Sequence, residues 1–205
     1  MKVLMINGSP RANGNTARAL QEMQNVFEAR DIEVEYVRVG HMSVRGCTAC
    51  LSCAKTGRCA IDDIVNELAD KLRECDGVVI ASPVYYASAN GTLISLLDRL
   101  FYSARFDKRM KVGASVAVAR RGGCSATFDQ LNKYFTICGM PVASSQYWNS
   151  AHGGAPGDAE QDGEGLQTMR TLAENMTFLM RSIALGKEAF GLAEKEEGIR
   201  TNFIR

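Results

Sequence analysis

The segment Lys2-Val-Leu-Met-Ile-Asn7-Gly8-Ser9-Pro10-Arg11-Ala12-Asn13-Gly14-Asn15-Thr16 decides the fold. It opens with a short, mostly apolar run, breaks at Asn7-Gly8-Ser9-Pro10, and from Thr16 brings small or apolar side chains back at helical spacing through Leu20, Met23 and Phe27. Strand, loop and helix follow in that order. A strand-to-helix loop offers free backbone amides and the positive end of a helix dipole, where a phosphate is stabilised. Ser9, Asn15 and Thr16 add hydroxyl or amide donors, and Arg11 adds a cation. The glycines do not follow the G-x-G-x-x-G spacing and no Lys precedes Thr16, so the loop is neither a dinucleotide fingerprint nor a P-loop. It suits a phosphomonoester, although an N-capped turn in which Asn15 or Thr16 satisfies the first helical turn explains the same residues.

The pattern repeats along the chain. Ile32 to Val39 alternates as a second strand, while Gly40 to Asp62 has no clear period. Ile64, Leu68 and Leu72 mark a helix. Gly77 to Ser82 reads as a buried strand stopping at Pro83, and Leu93, Leu96, Leu97 and Leu100 line one face of the next helix. Val112 to Ala119 is a strand, Phe128 to Cys138 a helix, Pro141 to Trp148 a last strand, and Glu164 to Leu185 a long helix. Strands alternating with helices imply right-handed crossovers and a parallel sheet covered on both faces. The fold expected is α/β: a flavodoxin-like, doubly wound, five-stranded parallel sheet spanning residues 1–186, with a cysteine-rich insertion at 40–62 and a charged tail at 187–205. Ligands of such sheets bind beyond the carboxyl ends of the strands. Here those are the loops beginning at Asn7, Ser82 and Arg120.

With 205 residues, 46% hydrophobic, the chain fits one core better than two. A net charge of +1 gives no field suited to nucleic acid or an anionic membrane, so a small molecule is the expected partner. No apolar run approaches the roughly 20 residues of a membrane span, and the first residues turn polar too early for a secretory leader. A cytoplasmic location is expected. Seven cysteines there are poor candidates for structural disulfides.

Two further loops complete the ligand argument. Ser82-Pro83-Val84-Tyr85-Tyr86 puts two tyrosines where a flat ring would lie, and Arg120-Arg121-Gly122-Gly123-Cys124 lets backbone approach closely. Tyrosines packed at a sheet edge and a tight turn are the plainer accounts of each. Together the three loops suit an isoalloxazine carrying a phosphate, with Ser9, Arg11, Asn15 and Thr16 at the phosphate. Pro83, Val84, Tyr85, Tyr86, Gly122, Gly123 and Cys124 would frame the ring.

These residues, with the Asp98-Arg99 pair, resemble the NADPH-dependent FMN reductase family along nearly the whole chain. Within it, the spacing of Cys47, Cys50, Cys53 and Cys59 is similar to that of the iron-sulfur flavoproteins. The resemblance implies FMN in the three loops, a four-iron, four-sulfide (4Fe-4S) cluster on the cysteines, and homodimers or homotetramers that bring cluster and flavin of different subunits together. Read from spacing alone, the thiols leave three readings open: a 4Fe-4S cluster, a zinc site, and free or redox-switching thiols. Zinc usually takes two pairs separated by a longer excursion.

Among the other residues, Cys75 and Cys138 read as small buried hydrophobes and Cys124 as packing beside the flavin loop. His41 and His152 have no partner spacing that assigns them a role. Met169, Met176 and Met180 read as core filler, and Asp98 with Arg99 as a structural ion pair. The expected activity is an FMN-dependent oxidoreductase. It would pass electrons from NAD(P)H or a ferredoxin-like donor to a small acceptor such as a quinone, flavin, azo or nitro compound. A non-catalytic FMN-binding electron carrier or redox sensor is the alternative, and a module for another nucleotide the third. The end of the tail, Gly198 to Arg205, reads either as loose or as docked on a second subunit.

Overall fold

The computed structural model describes residues 1–199, 201 and 203. Five strands, β1 (Lys2–Asn7), β2 (Glu33–Arg38), β3 (Gly77–Tyr85), β5 (Val112–Ala119) and β6 (Ser150–His152), form a parallel sheet in the order β2-β1-β3-β5-β6. A two-residue strand, β4 (Ser88–Ala89), folds back antiparallel on the end of β3. That order is the flavodoxin-like arrangement, whose winding direction reverses between β1 and β3.

Alternation along β1 explains the two layers. Val3 and Met5 face α1 (Asn15–Ala29) and α6 (Gly163–Phe190), packing with Leu20, Met23, Phe27, Leu172 and Met176. Leu4 and Ile6 face the other way, into a second core with Leu68 of α3 (Ile64–Glu74), Leu93, Leu96, Leu97 and Leu100 of α4 (Gly91–Ser103), and Phe135 of α5 (Cys124–Thr136). A strand buried on both faces is the expected consequence of a covered parallel sheet.

Three boundaries depart from the sequence reading. The last strand is not Pro141 to Trp148. Val142 makes a single bridge to Gly113, and the pairing resumes only at Ser150 to His152 beside Ala117 to Ala119. Between them the chain loops out because buried Asn149 ties it inward: its carbonyl accepts from Ala117 N at 3.0 Å and its side chain reaches Ser145 Oγ at 2.8 Å. β3 does not stop at Pro83, because Val84 and Tyr85 find hairpin partners in Ala89 and Ser88. α6 runs past Leu185 to Phe190, so the first residues assigned to the tail are helical. Within 40–62 a short helix, α2 (Ser52–Thr56), interrupts the irregular chain. Arg200, Asn202, Ile204 and Arg205 of the tail lie outside the described residues. No described helix is long and apolar enough to cross a membrane.

Candidate functional site

Four loops meet at the carboxyl edge of the sheet. The first, after β1, is held from three sides: Gly8 N donates to Ala81 O at 2.8 Å, Ser9 N to Asn7 Oδ1 at 2.7 Å, and Arg38 Nη1 to Pro10 O at 2.9 Å. Gly40 presses so close that an added Cβ would lie 2.1 Å from Gly8 O. Ser9 is buried and its hydroxyl accepts from Arg11 N at 3.2 Å, so it shapes the loop. α1 then begins without a side-chain cap, after Gly14. Among the described residues no acceptor meets the backbone amides of residues 12–17, nor does a hydrogen-bond partner meet the hydroxyl of buried Thr16.

The starts of the five helices longer than eight residues divide in two; the five-residue α2, which follows Leu51, is uncapped as well. α3, α4 and α6 are capped by Asp63, Asn90 and Asp162, whose side chains accept from Val65 N, Leu93 N and Gly165 N. α1 and α5, which open onto the loop cluster, start after glycines and have no side-chain cap. Uncapped amides at a helix start are a ready anion site.

The second loop is the hairpin joining β3 and β4. Tyr86 and Ala87 both take positive φ, 50° and 58°, which gives the mirror-image two-residue turn that suits the twist of paired strands. Tyr85 is 45% exposed and Tyr86 fully so, leaving both rings accessible at the edge. The hairpin is anchored below by Gln130 Oε1, which accepts from Ser88 Oγ and Ala89 N, both at 2.9 Å. Buried Ser82 accepts from Asn90 N at 2.8 Å, fixing the start of α4.

The third loop packs directly on the second. Gly123 sits at φ 96°, and an added Cβ would meet Val84 Cγ1 at 2.8 Å and Ala87 Cα at 2.9 Å. Pro83 to Tyr86 and Gly122 to Cys124 are therefore one surface. The Cys124 sulfur turns down toward Ala117 O, 3.9 Å away, and burial pushes the thiol pKa up. It remains a neutral thiol at ordinary pH.

The sequence missed the fourth loop, residues 153–158, because the last strand was placed too early and its true end at His152 was hidden. Asp158 Oδ2 accepts from Gly154 N at 2.9 Å and Ala155 N at 2.7 Å, curling this loop beside the first. Asn15 crosses to it: Nδ2 donates to Ala155 O at 2.9 Å and Oδ1 accepts from Ala159 N at 3.2 Å. Its side-chain amide is thus committed to the neighbouring loop, leaving only its backbone N–H for a ligand. Arg11 Nη1 lies 3.4 Å from Gly154 O. His152 sits at the loop's base, its backbone N–H donating to Asp162 Oδ2 at 2.6 Å.

The four cysteines come together elsewhere. Cys47, Cys50, Cys53 and Cys59 line one cavity with Arg99 and Ser103 of α4, enclosing about 20 Å³. Cys53 is buried, Cys59 half-buried, and Cys47 and Cys50 are exposed. Ala49 and Leu51 take left-handed φ of 52° and 58°, curling the chain between thiols. Among the described residues no three His, Cys, Asp or Glu side chains converge on a point where one metal ion could sit. The thiols line a common volume instead.

Arg99 is the structural surprise. It makes no ion pair with Asp98, which accepts from Tyr134 OH at 2.6 Å. Successive helical residues point in different directions, and Arg99 turns inward to Asp63 at 2.7 and 2.9 Å, to the Arg45 and Ile61 carbonyls, and to Cys59 Sγ. Burial opposes its charge, yet Asp63 and Cys59 hold its pKa above the usual value. Cys75 is buried, and burial raises its thiol to about 11. A second cavity of about 1210 Å³ lies between α4, α5 and residues 104–109, and Cys47, Ala49 and Leu51 line both it and the thiol cavity.

A doubly wound parallel sheet with its loops gathered at the carboxyl edge defines a flavodoxin-like protein. The chain belongs to the NADPH-dependent FMN reductase family, whose model matches residues 1–155. It is 35% identical over 191 residues to an iron-sulfur flavoprotein of Methanocaldococcus jannaschii, covering 89% of this chain and 99% of the relative. A second iron-sulfur flavoprotein, from Methanosarcina thermophila, is 32% identical over 193 residues, covering 92% and 100%. Among solved structures, RosB with bound 8-demethyl-8-formylriboflavin-5'-phosphate superposes with a TM-score of 0.70 at 18% identity, covering 100% of this chain and 92% of that one, which supports the fold.

Proposed function

We propose that the protein is an FMN-dependent oxidoreductase in which the loop cluster holds the flavin and the four cysteines hold a 4Fe-4S cluster. The observation that carries the first half is the pair of uncapped helix starts, α1 and α5, facing the same edge as the tyrosine hairpin. Amides 12–17, Thr16 and Arg11 hold the phosphate. Ser9 and Asn15 shape that loop, while Pro83 to Tyr86 and Gly122 to Cys124 frame the ring.

The second half rests on the donor set. Four thiols around a common volume suit a cluster with one ligand at each corner, and the names of both archaeal relatives favour it. Bound in these places, FMN supplies hydride and single-electron chemistry and the cluster one-electron exchange. The protein's own work is to orient the ring, exclude water from one face, and keep Cys124 protonated beside it. The donor is NAD(P)H or a ferredoxin-like protein, and the acceptor a small quinone, flavin, azo or nitro compound reached over Tyr85 and Tyr86. Assembly into homodimers or homotetramers would give the exposed tyrosines a second surface.

The test is one anaerobic preparation. A flavin spectrum with about four irons and four sulfides per chain, and oxidation of NAD(P)H only when a quinone is present, is the expected result. Failure of the flavin-free protein to bind FMN overturns the flavin assignment, and a yellow, iron-free protein overturns the cluster.

A further inference from the structure

We propose that Arg99 and Ser103 act as positioning residues that set the reduction potential of the centre held by the four cysteines; the inference rests on the cluster reading above. The two residues lie one turn apart on α4 and both line the thiol cavity.

Arg99 is 1% exposed, and its charge is already matched by Asp63. Even so, two of its N–H groups turn to a single sulfur: Nε and Nη2 lie 3.3 and 3.2 Å from Cys59 Sγ. A neutral thiol is a weak acceptor and gives little in return for buried guanidinium donors, whereas a metal-bound thiolate is a charged one. The geometry therefore suits Cys59 as an anionic ligand.

Ser103 supplies an independent observation. Its hydroxyl is buried and has no hydrogen-bond partner among the described residues. Buried hydroxyls without partners are rare and costly. Sulfur atoms of a cluster occupying the cavity are acceptors that this O–H can meet.

Hydrogen bonds to the sulfurs of an iron-sulfur centre, together with a nearby positive charge, favour the reduced form, which carries one more negative charge. Arg99 and Ser103 therefore raise the potential. The guanidinium contacts are to Cys59, so the stabilisation from Arg99 is greatest at that corner.

The test is an EPR-monitored redox titration of the intact holoprotein and its variants. Arg99→Gln is expected to lower the midpoint by about 59 mV, a tenfold change for a one-electron couple, with Arg99→Lys in between. Because Arg99 also holds Arg45, Ile61 and Asp63, its loss can prevent loading, and Ser103→Ala then decides. That variant should melt at or above the wild-type temperature when metal-free, since an unpaired hydroxyl is removed, yet show a lower midpoint when loaded. A purely structural role would not split the two readouts. An unmoved midpoint in iron-loaded Ser103→Ala, or in iron-loaded Arg99→Gln, overturns the inference alone. A wild-type protein prepared anaerobically without iron overturns the cluster reading and this inference together.

Discussion

Thr16, a buried residue in the first turn of α1, has a hydroxyl without a hydrogen-bond partner among the described residues, and its replacement separates ligand binding from folding. Thr16→Val keeps the shape and removes one donor to a charged phosphate, worth about 1.5–3 kcal/mol. FMN affinity should fall roughly ten- to a hundredfold by flavin-fluorescence titration, with an unchanged urea midpoint for the flavin-free protein. Cys75 makes a prediction about pH. Its folded pKa, about 11, lies above the ordinary value of 9.0, so its contribution is complete below pH 9 and is lost as pH rises through 11. The loss is of order 2–3 kcal/mol, and Cys75→Ala should flatten urea midpoints across that range. The strand-to-helix loop that carries the candidate donors was legible because it is local. The partners of Asn15 and Arg99 were not. The partners of Asn15 lie near Ala155 and Ala159, and those of Arg99 near Cys59 and Asp63, so no reading of neighbours could find them.

At the scale of the element, the hairpin after β3 carries the sharpest conflict between local preference and geometry. Left-handed backbone at Ala87 costs about 1–2 kcal/mol, a cost glycine does not bear. Ala87→Gly should therefore raise the thermal midpoint of the flavin-free protein by calorimetry, and an unchanged or lower midpoint would show that the turn stores no such strain. Strain of this kind is often kept where a ligand needs a particular surface. The fully buried strands were legible as continuous apolar runs, and the long helices by their period. β6 was not, because three residues at the sheet edge, Ser150 to His152, have no pattern to read, and the more apolar Pro141 to Ala143 drew the assignment. Pro83 stays within β3 because the pairing with β1 ends at Ala81, so at Pro83 the strand has a parallel partner only in β5, the edge-like position a proline tolerates.

For the whole molecule, the two cores on either face of the sheet leave one edge for ligands, and binding there stabilises the entire fold. FMN at a hundred times its dissociation constant should add about 2.7 kcal/mol to unfolding. Riboflavin at the same concentration should add far less, because it lacks the phosphate met by α1; paired thermal melts compare the two. Equal shifts would remove the phosphate from the account. The doubly wound architecture was legible from the alternation of elements. The fourth loop was hidden by a single misplaced strand.

α4 begins where Asn90 is pinned to Ser82 at the tyrosine hairpin and ends in the wall behind the thiols. Thirteen residues of unbroken helix are a ruler roughly 20 Å long, and rulers do not adjust. Within one polypeptide the interval between the two pockets is a matter of counting peptide units, insensitive to how the loops at either end relax. Splicing in one extra helical turn would lengthen that interval by about 5.4 Å while leaving each pocket facing nearly the same way, so distance could be varied as an experimental quantity in its own right.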